Sequence, residues 1–133
     1  MHVRAATETE TVDILNVLDG AALETDLVAV EAAIERGEAL VAVDAPDPAD
    51  ESNGGERLLG ALVLDGDHVS AIAVRRRRRG QGIGTALIER ALDRRGRLTA
   101  AFDADLRPFY EKLGFEIEAD ETADRLRGRL ERD

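Results

Sequence analysis

The chain contains no cysteine and no tryptophan, one tyrosine, one methionine, and no long apolar run. Without cysteine there is no disulfide, no thiolate nucleophile and no cysteine metal ligand, a composition that suits a cytoplasmic protein. No stretch approaches the ~18 consecutive apolar residues of a membrane-spanning helix. The opening Met1-His2-Val3-Arg4 also lacks the apolar segment of a secretory leader, so no membrane contact is expected. Aromatic residues amount to 3% of the chain, although apolar residues reach 44%. The core must therefore be built mainly from Ala, Val, Leu and Ile. A length of 133 residues fits one compact domain, 1–133.

What is abundant is charge, and most of it is negative. Acidic residues number 28 against 18 basic ones, a formal net charge of -10. Lys112 is the only lysine, so every other basic residue is an arginine. An acidic, lysine-poor chain resembles proteins of salt-accumulating, halophilic microbes. At ~1 M salt the screening length falls to ~3 Å, and crowded surface carboxylates repel one another little. An acidic protein from a GC-rich mesophile is the alternative. Either way, the balance argues against general nucleic-acid binding, which needs a basic surface.

Apolar periodicity divides the chain into short elements. His2 to Ala6 reads as a strand. Thr7 to Leu18 reads as a helix with Val12, Leu15 and Leu18 at helical spacing and Ile14 and Leu18 four apart, and Thr7 with Glu10 forms a capping-box pattern. Thr25 or Asp26 caps a second helix, whose stripe is Leu27, Val30 and Ile34, and Arg36-Gly37 stops it. Ala39 to Val43 is a strand, and residues 45–56 read as a long loop. Arg57 to Leu64 and His68 to Val74 flank a tight turn at Asp65-Gly66-Asp67. Gly82 to Arg95 is the clearest helix, with Ile83, Leu87, Ile88, Ala91 and Leu92 on one face. A strand (Leu98 to Phe102), a short helix (Leu106 to Leu113) and a strand (Phe115 to Ala119) follow, and Leu126 to Leu130 alternates as a final strand, with a short helix that puts Leu126 and Leu130 together as the alternative. The order is strand, two helices, three strands, helix, strand, helix, two strands. It predicts an α/β (α+β) domain with a mixed sheet of about six to seven strands flanked by about four helices.

The segment Val74 to Gly84 carries the chemistry. An apolar strand runs into Arg75 to Arg79, then Gly80, Gly82 and Gly84 alternate, and a helix begins. Bare backbone amides and positive charge at a helix N-terminus make an anion-binding arrangement. The spacing G-x-G-x-G is not the G-x-G-x-x-G of a dinucleotide turn, and the preceding strands form a meander rather than a βαβ unit. No lysine stands where a Walker loop requires one. A solvated arginine run before a flexible turn is the plain alternative.

Two motifs in register carry a resemblance. Arg79-Gly80-Gln81-Gly82-Ile83-Gly84 matches the R/Q-x-x-G-x-G/A signature of the GNAT family of N-acetyltransferases, and Val74 stands five residues before it, as in that family. Phe109-Tyr110-Glu111-Lys112-Leu113-Gly114-Phe115 is similar to the family's FYEKLGF segment, one helix and one strand later. The resemblance implies acetyl-CoA as cosubstrate and a primary amine of a small molecule or peptide as acceptor. The amine would attack directly in a ternary complex, with no metal. It implies that backbone N–H groups from Arg79 through Gly80, Gln81, Gly82, Ile83 and Gly84 surround the pyrophosphate, with Gly82 and Gly84 admitting its oxygens closely. Ile72 and Val74 would offer a strand edge to pantetheine. Tyr110 would protonate the departing thiolate. For the base, the candidates are His68, a water chain, or an amine already neutral. Asp103 stands where many relatives carry asparagine and Arg76 where many carry proline. Glu24, Asp26, Glu116, Glu118 and Asp120 would make the acceptor side acidic. A homodimer is left open. A non-catalytic acyl-CoA-binding module on the same fold is the alternative reading.

Overall fold

Alternating apolar stretches become strands and the 3.6-residue stripes become helices that cover them. A computed structural model describes residues 1–20, 27–44, 57–119 and 125–131. The strands are β1 (His2–Ala5), β2 (Ala39–Asp44), β3 (Arg57–Asp65), β4 (His68–Val74), β5 (Arg97–Asp103), β6 (Glu116–Ala119) and β7 (Arg125–Glu131). The helices are α1 (Thr11–Gly20), α2 (Leu27–Glu35), α3 (Ile83–Arg95) and α4 (Arg107–Lys112). All seven strands form one mixed sheet in the order β1-β2-β3-β4-β5-β7-β6. Every neighbouring pair is antiparallel except β4 and β5, which run parallel. The long loop 45–56 and the caps Thr25 and Asp26 lie outside the described residues.

Two apolar cores sandwich the sheet. On one face α3 buries Ile83, Leu87, Ile88 and Ala91 against Leu40, Leu62, Leu98 and Phe102. On the other, α1 and α2 bury Ile14, Leu18, Val30 and Ile34 against Val41, Val43, Ala61 and Ala71. Of the expected stripes, Leu18 in α1 and Val30 and Ile34 in α2 are buried, whereas Val12 is 64% and Leu27 46% exposed. A single 3-10 turn over Glu8–Glu10 replaces the first turn of the expected helix, and the buried face of α1 is Ile14, Val17 and Leu18. The capping pair survives that change: Thr7 N–H donates to Glu10 Oε1 at 2.9 Å, and Arg4 grips the same carboxylate with two bonds of 2.8 Å.

One buried carboxylate ties the turn ahead of β4 to the rest of the sheet. Glu38 accepts from Arg36 Nε at 2.6 Å and from Gly66 N–H at 2.6 Å, and Arg95 at the end of α3 lies 3.9 Å away. The Arg36 hydrogen bond, then the Gly66 amide, hold the Glu38 carboxyl below its ordinary value of 4.5. A carboxyl with a depressed folded pKa stabilises the fold above its unfolded value, and that contribution is lost as pH falls through the folded one. Glu38→Gln is therefore expected to cost about 2 kcal/mol at neutral pH and to flatten the acid limb of stability below about pH 4.5. Urea unfolding of both proteins between neutral and acid pH measures this; parallel acid limbs would count against it.

Candidate active site

β4 and β5 start side by side and then part. Only His68↔Thr99 and Val69↔Ala100 pair between them, although both strands continue. The divergence begins at a bulge. Leu64 pairs with Val69 and Val63 with Ala71, so Ser70 is an extra residue in β4. An inserted residue reverses which backbone groups point to which neighbour. Before it, Asp67 C=O accepts from Thr99 N–H at 2.9 Å, toward β5. After it, Arg75 N–H donates to Leu59 C=O at 2.8 Å, toward β3. By antiparallel alternation the N–H and C=O groups of Ile72 and Val74 then face the side that β5 has vacated.

The bulge also reverses the side chains. Val69 packs in the α3-side core, whereas Ala71 and Ala73 pack in the α1/α2-side core and Ile72 and Val74 return to the α3 side. His68 therefore does not share a face with Ile72, as simple alternation from the sequence would have it. It stands at the closed end of the wedge with its Nδ1 3.0 Å from Thr99 Oγ1.

The open end of the wedge is a cleft of about 790 Å³. One wall is Ile72, Ala73 and Val74. The second is the loop and helix start from Arg78 to Thr85, with Gly80, Gly82 and Gly84. The third is α4 and the turn before it: Leu106, Pro108, Phe109, Tyr110 and Lys112. The sequence candidates Ile72, Val74, Arg79, Gly80, Gly82, Ile83, Gly84 and Tyr110 are thus brought together, whereas His68, Gln81 and Asp103 do not line the cleft. Asp103 is 76% exposed, with Arg125 4.0 Å away.

The loop shows why glycine recurs. Gly80 and Gly82 both have φ of +80°, a left-handed backbone that glycine adopts without steric cost. Gly82 caps α3, whose first backbone bond runs from Ala86 N–H to Gly82 C=O at 3.0 Å. The N–H groups of Ile83, Gly84 and Thr85 therefore have no acceptor within the helix. Gly84 has a different reason. A Cβ there would stand 3.2 Å from the ring of Phe109, so its missing side chain admits an aromatic ring of α4 rather than a ligand atom.

Charge at the cleft opposes that of the whole chain. Arg78, Arg79 and Lys112 line it, and no acidic residue does among the described residues. The first turn of α3 carries no carboxylate, so the helix dipole and the free amides add to the positive field. Not every arginine of the run contributes. Arg75 turns back, its Nε donating to Leu58 C=O at 2.6 Å.

All four aromatic rings of the chain gather at the inner end of the cleft. Tyr110 stacks on Phe102 with centroids 3.9 Å apart, and Phe109 and Phe115 meet it edge-on at 5.0 and 5.1 Å. Gly128 on β7 makes room, since a Cβ there would lie 3.1 Å from Phe102 and 3.0 Å from Phe115. Burial pushes the Tyr110 phenol above its ordinary 10.0, against a smaller opposing pull from the charge of Arg125. The phenol therefore keeps its proton throughout the neutral range. Sequence reading passed over Phe102 and Arg125 as site residues, because Phe102 meets Tyr110 only through the packing of α4 on β5 and Arg125 arrives only through the pairing of β7 with β5.

Comparisons with known proteins agree with this geometry. Among curated proteins, none matches the chain significantly. Solved structures similar in fold include Rv2747 from Mycobacterium tuberculosis, in complex with CoA, at 19% identity and a TM-score of 0.75, covering 98% of this chain and 99% of that one. Another is a Corynebacterium glutamicum protein described as histone acetyltransferase HPA2 and related acetyltransferase, at 17% identity and 0.70, covering 99% and 96%. A third is the ribosomal-protein-S18-alanine N-acetyltransferase of Escherichia coli, at 14% and 0.65, covering 96% and 89%. At these identities the likeness is one of fold. The family description "Acetyltransferase (GNAT) domain" matches residues 36–117, more than half of the chain, and the protein belongs to that family, whose acyl donor is acetyl-CoA.

Proposed function

We propose that the protein transfers an acetyl group from acetyl-CoA to a primary amine of a small molecule or peptide, by direct attack within a ternary complex. One observation supports this above the others: the wedge between β4 and β5 joins an amide-lined, cationic loop to a buried, protonated tyrosine in a single cleft. The carrier's diphosphate rests against the N–H groups between Arg79 and Thr85, with Arg78, Arg79 and Lys112 supplying charge. Its pantetheine arm lies along Ile72 and Val74, whose outward backbone groups replace the missing strand. A thioester held there with its amine gains the proximity that most of the rate requires, and a strand N–H can donate to the oxyanion as the amine adds. When the C–S bond breaks, Tyr110 O–H supplies a proton to the leaving thiolate. The amine attacks in its neutral form, its nitrogen passes one proton to water as the C–N bond replaces the C–S bond, and the tyrosinate regains a proton from water; His68 lies at the far end of β4 and takes no part.

Titration calorimetry with acetyl-CoA, followed by thiol release against a panel of amines, tests this reading. Micromolar binding with thiol release on at least one amine is the expected result. Binding without release on any amine would favour the non-catalytic acyl-CoA module, and no binding would remove both.

The charge of the chain carries a second proposal, that it works in concentrated salt. Screening of a net charge of -10 relieves self-repulsion in the folded state. The thermal midpoint is expected to rise by about 5 °C or more between about 0.1 M and about 2 M KCl. Differential scanning calorimetry over that series decides it, and a flat or falling midpoint would contradict the halophilic reading.

A further inference from the structure

The sheet consists of two antiparallel units that meet at one short joint. β1 to β4 form the first and β5, β7 and β6 the second. Among the described residues, the sheet pairing between them is confined to His68↔Thr99 and Val69↔Ala100. Side chains reinforce that spot. His68 Nδ1 lies 3.0 Å from Thr99 Oγ1, and Arg97 Nε donates to Asp67 Oδ2 at 2.7 Å. Below them Thr99 N–H is bonded to Asp67 C=O, and the neighbouring Gly66 is held by Glu38. None of Asp67, His68, Arg97 and Thr99 lines the cleft.

Exposed pairs of this kind add little to global stability. Arg97 and Asp67 are 63% and 37% exposed. What such contacts can fix at a two-pair joint is an angle. Val74 lies five residues beyond Val69, about 16 Å along the strand at ~3.3 Å per residue. A change of about 5° at the joint would move the Val74 end by about 1.4 Å, and displacements near ~1 Å already cost binding and rate.

We propose that the His68–Thr99 and Asp67–Arg97 contacts form a positioning clasp, which sets the opening between β4 and β5 and through it the affinity for the thioester carrier. The inference rests on the cleft being the site of that carrier. It gives His68 the role of a positioning residue rather than of a base, because its ring is committed to β5 at the closed end of the wedge.

The test is calorimetric titration of the full chain with coenzyme A, beside thermal melting. His68→Ala removes the bond and Thr99→Val removes it while keeping a β-branched strand residue. Each is expected to weaken coenzyme A binding about fivefold through lost preorganisation, with the double variant no weaker than either single one. His68→Asn and Thr99→Ser keep a hydrogen-bonding group at similar reach and are expected to bind within about twofold of wild type. Melting midpoints are expected to stay within about 2 °C throughout. Equal affinity in all variants, with wild type binding, would overturn the clasp and leave the cofactor site standing. Loss of affinity only in step with a falling midpoint would overturn it too, as a general effect of instability. Failure of wild type to bind coenzyme A would remove the cofactor site and the clasp with it.

Discussion

Tyr110→Phe is expected to lower turnover about 100-fold while changing affinity for acetyl-CoA by no more than about twofold. The argument is one of subtraction. Phenylalanine keeps the ring that stacks on Phe102 and meets Phe109 and Phe115 edge-on, so the packing that positions α4 persists. Only the hydroxyl goes, and with it the proton for the departing thiolate. Burial holds the phenol above its ordinary 10.0, so the acid is present in its working form across the neutral range. The wild-type rate should accordingly show no fall attributable to this group until pH exceeds about 10. Stability should hardly fall, because the packed ring stays in place. Thiol release with the best amine of a panel, a coenzyme A titration and a melting curve separate these effects. Turnover that survives the substitution would remove Tyr110 as the acid and leave a cleft that binds without catalysing.

Much of the fold could be read from the chain because its elements are local. Ile83, Leu87, Ile88 and Ala91 are four points of one helical stripe, and all four are buried as that stripe requires. The hairpin at Gly66 and the stop at Gly96 follow from positive φ at each. The parts that escaped depend on pairings between distant segments or on a single inserted residue. Nothing in His68-Val69-Ser70-Ala71-Ile72 marks Ser70 as the extra residue, since polar and apolar residues alternate from His68 to Ala71 and the run from Ala71 to Val74 is apolar throughout. Only the opposing strand reveals the bulge, and with it that His68 and Ile72 face opposite ways. Phe102 becomes the platform for Tyr110 only once α4 has folded over β5. The three loop glycines look alike in the sequence and differ in cause: Gly80 and Gly82 answer to backbone conformation, Gly84 to the ring of Phe109. Glu24, Asp26 and Asp120, read as part of an acidic acceptor mouth, lie outside the described residues. Glu116 and Glu118 are exposed on β6, and Arg129 lies 3.4 Å from Glu116.

Gly82→Ala is expected to weaken coenzyme A binding by about 30-fold, although the added methyl group meets no atom within 4 Å. The cause is conformational. A left-handed residue with a Cβ costs about 1–2 kcal/mol, and the loop can escape that cost by rotating the peptides on either side of residue 82. Those peptides carry the amides that face the cleft, so relief of strain turns donors away from the diphosphate. Gly96→Ala supplies the matching control. It has the same φ of +80°, caps the other end of the same helix and also has open space around it. Both variants should lose about 1 kcal/mol of stability, and only the first should lose affinity. The salt dependence of binding adds a second discriminant. Amide contacts are short-ranged and survive added salt, whereas attraction by Arg78, Arg79 and Lys112 is screened. In Gly82→Ala the residual affinity should therefore fall more steeply with KCl than in wild type, because what remains is mostly charge. Equal losses of affinity in the two glycine variants would show that strain in α3, and not the orientation of its first amides, governs the site.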